Sequence, residues 1–171
     1  LVYNGEIFNY QELVDQFNYT PKTTCDTELL AFLLDKFGVD AVQHIDSMHA
    51  FAYYDRQTKN IILSRDHVGI KPLFYAEISD GIIFGSEIKG MLEHVPNSRQ
   101  IDELAAACMS YSGNNVTRHT MFTNIKKVMP GETLVYSVPH KKFISHNLVI
   151  PVKMVLRCQF LTILQINLLE S

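Results

Sequence analysis

A strong excess of either charge is missing from this 171-residue sequence: its formal net charge is only −3. Without a basic footprint, a nucleic-acid partner is not expected. Cysteine is scarce as well. Cys25, Cys108 and Cys158 are too few and too scattered for a disulfide framework or a zinc cluster, so a reducing, cytoplasmic setting is expected. There is no long unbroken apolar run. The nearest approach, Leu148–Leu169, is interrupted by Pro151, Lys153, Arg157 and Gln165, and central Lys and Arg are costly in hydrocarbon, so no membrane span is read. The opening LVYNGEIFNY has neither an initiating Met nor the plan of a signal peptide, and the chain is expected to begin inside a longer protein.

What is present describes a globular domain, with 47% apolar and 19% charged residues. Leu1–Tyr3 leads as a short apolar run into Asn4-Gly5, a dipeptide that favours a tight turn. Asn9 with Glu12 resembles a helix start, followed by the stripe Leu13, Val14 and Phe17. A clearer helix carries Leu29, Leu30, Leu33, Leu34 and Phe37, with Gly38 just past its end.

Strand patterns take over from His49. His49–Tyr54 and Ile61–Arg65 flank DRQTKN as one hairpin, and Leu73–Ala76 and Ile82–Phe84 flank a second that turns at Asp80-Gly81. Ser86–Glu93 reads as helical, and Asp102 caps a helix to Tyr111. Pro130-Gly131 opens a strand at Thr133–Ser137, and Lys142–Ser145 returns beside it. Antiparallel sheet with helices packed on it makes the class α+β.

Three segments carry candidate chemistry. In Asn4-Gly5-Glu6, a glycine amide and an amide side chain could together hold an oxyanion, with Glu6 as an acceptor for the same substrate; a plain turn with an exposed Glu is the favoured reading of these residues by themselves. Asp26, at the head of the strong helix, is either its N-cap or an acceptor for the α-ammonium of an amino acid. Arg65-Asp66-His67-Val68-Gly69-Ile70-Lys71-Pro72-Leu73 is a constrained charged turn in which Arg65 and Asp66 hold each other and the loop, a structural role.

Taken together, YNGEIFNYQEL, CDTELL, MHAFAYYD, LSRDHVGIKPLFYA and FGSEIKGML resemble, in order and spacing, the glutaminase (class II glutamine amidotransferase) domain of glutamine-hydrolysing asparagine synthetases. The resemblance runs from Leu1 to about Ser145. It implies an N-terminal nucleophile hydrolase fold, with stacked antiparallel β-sheets between helix layers (αββα) and the first strands missing here. It also implies glutamine hydrolysis to glutamate and ammonia at an N-terminal cysteine, feeding ATP-dependent amidation of aspartate. By motif match, Asn4 and Gly5 form the oxyanion hole, and Glu6 and Asp26 bind the amino-acid end of L-glutamine. No cofactor is implied in this domain; ATP and Mg belong to a synthetase domain of the same polypeptide. A homodimer of the full protein is compatible with the family.

The departures shape the expectations. The family's N-terminal cysteine, and its arginine for the substrate α-carboxylate, lie upstream of Leu1, so this piece alone is expected to be inactive. Cys25 stands where the family often has serine, and Phe8 keeps the ring of the usual tyrosine without its hydroxyl. His49, in place of a bulky apolar residue, is expected to be packed or at an edge. Residues 1–146 are thus assigned to a partial amidotransferase domain, and residues 147–171 to an unassigned tail, a divergent linker or a misread end. They lack the tryptophan-containing entry and the SGGxDS pyrophosphate loop of the synthetase domain. A catalytically dead scaffold or an inactive truncated product is the alternative reading.

Overall fold

The computed structural model describes residues 1–113 and 115–148; Cys158, and the tail beyond residue 148, lie outside the described residues. Eight strands form two antiparallel sheets. The first contains β1 (Val2–Ile7), β2 (Ser47–Asp55), β3 (Asn60–Arg65), β7 (Glu132–Ser137) and β8 (Lys142–Leu148), in the order β1-β2-β3-β7-β8. The second has the order β5-β4-β6, built from β4 (Phe74–Ile78), β5 (Gly81–Gly85) and the two-residue β6 (Lys126–Lys127).

Strand alternation assigns each face of the first sheet a different cover. Ile7, Phe51, Ile62 and Val135 point to one side, where they pack with Leu29, Leu30, Leu33 and Leu34 of α2 (Asp26–Phe37) and Leu13 of α1 (Tyr10–Gln16). Ala50, Ala52, Leu63 and Leu134 point to the other side, against Leu73, Tyr75 and Val128 of the second sheet. Beyond that sheet, Ala76 packs with Met91, Val95 and Ile125. The segment between β5 and β6 supplies this outer cover and carries α3 (Glu103–Ser112). The layering is the α+β, αββα arrangement expected.

Several local readings hold. Asp102 caps α3, accepting from the Ala105 amide at 3.0 Å, and Gly38, at φ +57°, ends α2. Both hairpins form; the second turns at Ser79-Asp80, one residue before the expected Asp80-Gly81, because Gly81 already belongs to β5 and pairs with Ile78.

Other readings need correction. Asn4-Gly5 is not a turn; both residues lie inside β1, paired with Ala50 and His49. Ser86–Glu93 is not an α-helix but a single 3-10 turn, Ile88–Gly90, because Gly90 gives it little helical propensity. Asn9 does not cap α1. Its side chain instead donates to the His44 carbonyl at 2.9 Å and accepts from the Asp46 amide at 2.9 Å, tying the start of α1 to the approach to β2.

Candidate active site at the edge of β1

Among the described residues β1 is the last strand of its sheet, hydrogen-bonded only to β2. Where its backbone groups point follows from the partner strand. Opposite Gly5 stands His49, whose N–H donates to Asp66 Oδ2 at 3.3 Å and whose C=O accepts from the Asp66 amide at 2.8 Å. Both backbone groups of His49 are therefore turned toward β3. In an antiparallel ladder this makes Gly5–His49 a non-hydrogen-bonded pair, so the N–H and C=O of Gly5 point out of the open edge.

That pairing also explains why residue 5 is glycine. Non-hydrogen-bonded pairs bring the two backbones closest together. A Cβ on Gly5 would stand 2.2 Å from the Met48 carbonyl oxygen and 2.9 Å from His49 Cα. The absence of a side chain is needed for the approach of β2, whatever ligand uses the amide.

Two residues along the same edge, Ile7 repeats the orientation of Gly5, and its outward N–H donates to Asp26 Oδ2 at 3.1 Å. The same oxygen accepts from the Tyr3 hydroxyl at 3.2 Å. Asp26 is thus the first residue of α2 and not its N-cap. Cys25 occupies the cap position with no side-chain bond, and its thiol lies 4.0 Å from Asp26 Oδ1. The local capping rule is overridden by a contact to a strand nineteen residues upstream.

Asn4 and Glu6 are both exposed, and alternation sets them on the face opposite Tyr3, Gly5 and Ile7. The four sequence candidates therefore converge on one strip of surface. Asn4 and Glu6 flank the Gly5 peptide on one side of β1, and Asp26 closes the open edge about 7 Å further along, at two residues of strand rise.

The surrounding residues fix this strip. Glu28, two residues after Asp26, accepts from the Tyr19 hydroxyl and the Lys22 amide, each at 2.8 Å, and from the Thr23 amide and hydroxyl at 2.8 and 2.6 Å. The loop before α2 is thereby pinned to its first turn. The Thr23 hydroxyl bond is the leading cause that lowers the Glu28 carboxyl to about 2. Its folded pKa lies below the unfolded one, so its contribution is complete above the ordinary carboxylate range and is lost as pH falls toward 2. Hydrogen exchange at Lys22 and Thr23, corrected for intrinsic rates, should therefore lose protection between pH 5 and pH 2.5. In Glu28→Gln that pH dependence should disappear; an unaltered profile would contradict the pinning role.

The charged turn after β3 acts from behind. Asp66 is buried, and its Oδ1 accepts from the amides of Val68, Gly69 and Ile70, while its Oδ2 accepts from Lys71 and His49. Burial alone would raise its pKa, but the backbone bonds from Lys71, Ile70, Gly69 and His49 outweigh it and hold the carboxyl below the usual range. Arg65 donates to the carbonyls of Lys71, Val128 and Gly69 at 2.7–2.9 Å. The structural role stands, with one correction: each residue holds the backbone of the loop, and the loop is not built on a pair between them. Asp66 also fixes the backbone of His49 directly opposite Gly5.

His49 is packed, as expected. Its ring lies between the hydroxyls of Ser47 (2.8 Å) and Ser64 (3.2 Å), and Ser64 continues to Thr133 at 2.8 Å. Burial pushes its pKa down to about 4, so the ring is neutral near pH 7.

Sequence reasoning missed Tyr3, the Ile7 amide and Glu28. The signal for the first two was present: read as a strand, VYNGEI puts Tyr3, Gly5 and Ile7 on one face. Among the described residues, no group of three or more His, Cys, Asp or Glu side chains could hold a metal ion, and no helix is long and apolar enough to cross a membrane.

Comparison with known proteins places these residues in context. A family model described as "Glutamine amidotransferase domain" matches residues 1–146. A protein of Methanocaldococcus jannaschii named as a glutamine-hydrolysing asparagine synthetase is 32% identical over 144 residues, which is 83% of this chain and 28% of the relative. Asparagine synthetase 2 of Bacillus subtilis is 36% identical over 137 residues, covering 77% of this chain and 18% of the relative. The human asparagine synthetase is 29% identical, with 77% and 28% covered. The chain thus spans less than a third of the length of these curated relatives. Among solved structures, the B. subtilis glutamine phosphoribosylpyrophosphate amidotransferase, complexed with ADP and GMP, superposes with a TM-score of 0.54 at 20% identity. The superposition covers 86% of this chain and 28% of that one, a likeness of fold.

Proposed function

Because the chain belongs to the glutamine amidotransferase domain family, we propose that the edge of β1 is the glutamine pocket of a glutamine-hydrolysing asparagine synthetase. The observation that carries this reading is the Asp26 carboxylate held on the Ile7 amide, two residues along the same strand edge from the outward Gly5 amide, a rise of about 7 Å. The α-nitrogen and amide oxygen of glutamine are joined through four carbons, a span that suits these two groups.

In this reading Asp26 accepts the α-ammonium, with Glu6 as a further acceptor for the same substrate. The Gly5 N–H and the Asn4 side-chain amide donate to the carbonyl oxygen of the substrate amide. A cysteine thiolate from outside residues 1–171 attacks the amide carbon. The carbonyl electrons move onto oxygen, where the two donors hold the oxyanion. They return as the C–N bond breaks, and the nitrogen leaves as ammonia with the proton that a base such as the free α-amine took from the cysteine thiol. Water then hydrolyses the thioester to glutamate. No cofactor takes part in this half. ATP and Mg belong to the synthetase portion that receives ammonia and amidates aspartate, and the setting is the cytoplasm.

The test is Asp26→Asn in the full-length protein. Asn keeps the size and still offers an oxygen to Tyr3 and Ile7, but removes the charge. A contact of this kind is worth roughly 1.5–3 kcal/mol. Glutamine kcat/KM should fall about ten- to a hundredfold, while ammonia-dependent synthesis and the melting temperature stay nearly constant. Unchanged glutaminase kinetics in a stable Asp26→Asn protein would remove Asp26 from the site.

A second expectation concerns the 171-residue polypeptide by itself. With no thiol at its N-terminus, it should release no glutamate from glutamine above a protein-free blank. Steady release that Asn4→Ala abolishes would contradict the assignment of the nucleophile.

A further inference from the structure

Asp26 is held by groups that do not belong to the substrate, and one of them joins both halves of the pocket. The Tyr3 hydroxyl donates to Asp26 Oδ2 at 3.2 Å, and the Ile7 amide donates to the same oxygen at 3.1 Å. With two protein donors on Oδ2, a ligand cation is directed to Oδ1, which lies 4.0 Å from the Cys25 thiol. The ring of Tyr3 meanwhile covers Gly5: its Cε2 atom lies 2.9 Å from the point where a Cβ on Gly5 would stand. One side chain therefore touches the oxyanion-side glycine with its ring and the ammonium-side carboxylate with its hydroxyl.

We propose that Tyr3 is the positioning residue of the glutamine pocket, orienting Asp26 so that one carboxylate oxygen is presented to the substrate α-ammonium. This deepens the glutamine-pocket reading and rests on it. Burial, then the Asp26 charge, push the Tyr3 phenol far above its ordinary range, so it remains a donor at any pH at which the enzyme works. Tyr3 does not touch the reacting amide. Its effect passes through Asp26 and must vanish when the substrate has no ammonium to place.

That condition defines the experiment. In the full-length protein, Tyr3→Phe keeps the ring over Gly5 and removes the hydroxyl alone. Steady-state kinetics are compared for glutamine and for 4-carbamoylbutanoate, the same chain with hydrogen in place of the α-ammonium. For glutamine, KM should rise about tenfold with kcat nearly constant, as expected for a lost hydrogen bond to a charged group acting at one remove. For the analogue, the ratio of Tyr3→Phe to parent kcat/KM should stay near one. In an Asp26→Asn background, adding Tyr3→Phe should change glutamine kcat/KM less than twofold, since the group it orients has lost its charge.

Equal losses on both substrates, or full additivity with Asp26→Asn, would overturn the proposal and leave Tyr3 as a packing residue. If Asp26→Asn itself is silent while the protein stays folded, it is the glutamine-pocket reading that fails. If Asp26→Asn is impaired and Tyr3→Phe is not, the pocket stands and only the role of Tyr3 falls. A melting curve for each variant shows whether the ring packing survives.

Discussion

Replacing Asn4 by Ala in the full-length protein should lower kcat for glutamine by about a hundred- to a thousandfold and leave KM nearly unchanged. The magnitude is that of losing one preorganised oxyanion donor. The split arises because the Asn4 amide gains most of its strength only when charge develops on the carbonyl oxygen, after binding is complete. Asn4 is exposed on β1, so the substitution removes no core contact and stability should move by no more than about 0.5 kcal/mol. Ammonia-dependent synthesis should survive. A raised KM with unchanged kcat would mean that Asn4 contacts the ground-state substrate and is no part of the oxyanion hole.

Gly5→Ala should act by a different route and damage the fold itself. The added methyl would stand 2.2 Å from the Met48 oxygen and 2.9 Å from His49 Cα, and backbone cannot swing aside as a side chain can. Asp66 holds the His49 backbone from the far side, at 3.3 Å from its amide, so β2 has little freedom to retreat. The strain is relieved only by moving β1 away. A loss of about 3 kcal/mol, at the upper end for overpacking, is expected in denaturant titration. Hydrogen exchange should locate the damage in β1 and its ladder with β2, while the ladder between β3 and β7 keeps its protection. An Ala variant with the parent's midpoint would show that the close approach is absent in solution.

These two neighbouring positions show how far the sequence could be read. α2 was legible because its four leucines repeat at helical spacing within one segment, and the hairpins were legible because turn and strands are contiguous. Asn4-Gly5 misled for the same reason in reverse. The dipeptide is common in turns, yet its conformation here is decided by β2, more than forty residues later, and a local rule carries no information about that partner. Asp26 repeats the case, since a capping position was legible and the Ile7 amide that claims the carboxylate was not. Glu28 stood in a quoted motif, but its partners are backbone amides of the preceding loop, and amides have no sequence signature. The Asn4, Gly5, Glu6 and Asp26 set was named from resemblance. The physical reason the four meet, an outward-facing peptide on an edge strand, required the register.

The register also imposes an order in time. Val2 pairs with Ala52, and Asn60 pairs with Ser137, so two of the four ladders of the first sheet join strands that lie far apart in the chain. As the polypeptide leaves the ribosome, Asn4, Gly5 and Glu6 emerge before β2 and wait as an unpaired strand until it follows. The far edge of β3 waits for β7. Contacts of such wide separation close slowly, and the pocket half is exposed throughout that interval. The residues that would hold glutamine are thus made well before the strand that sets them in place.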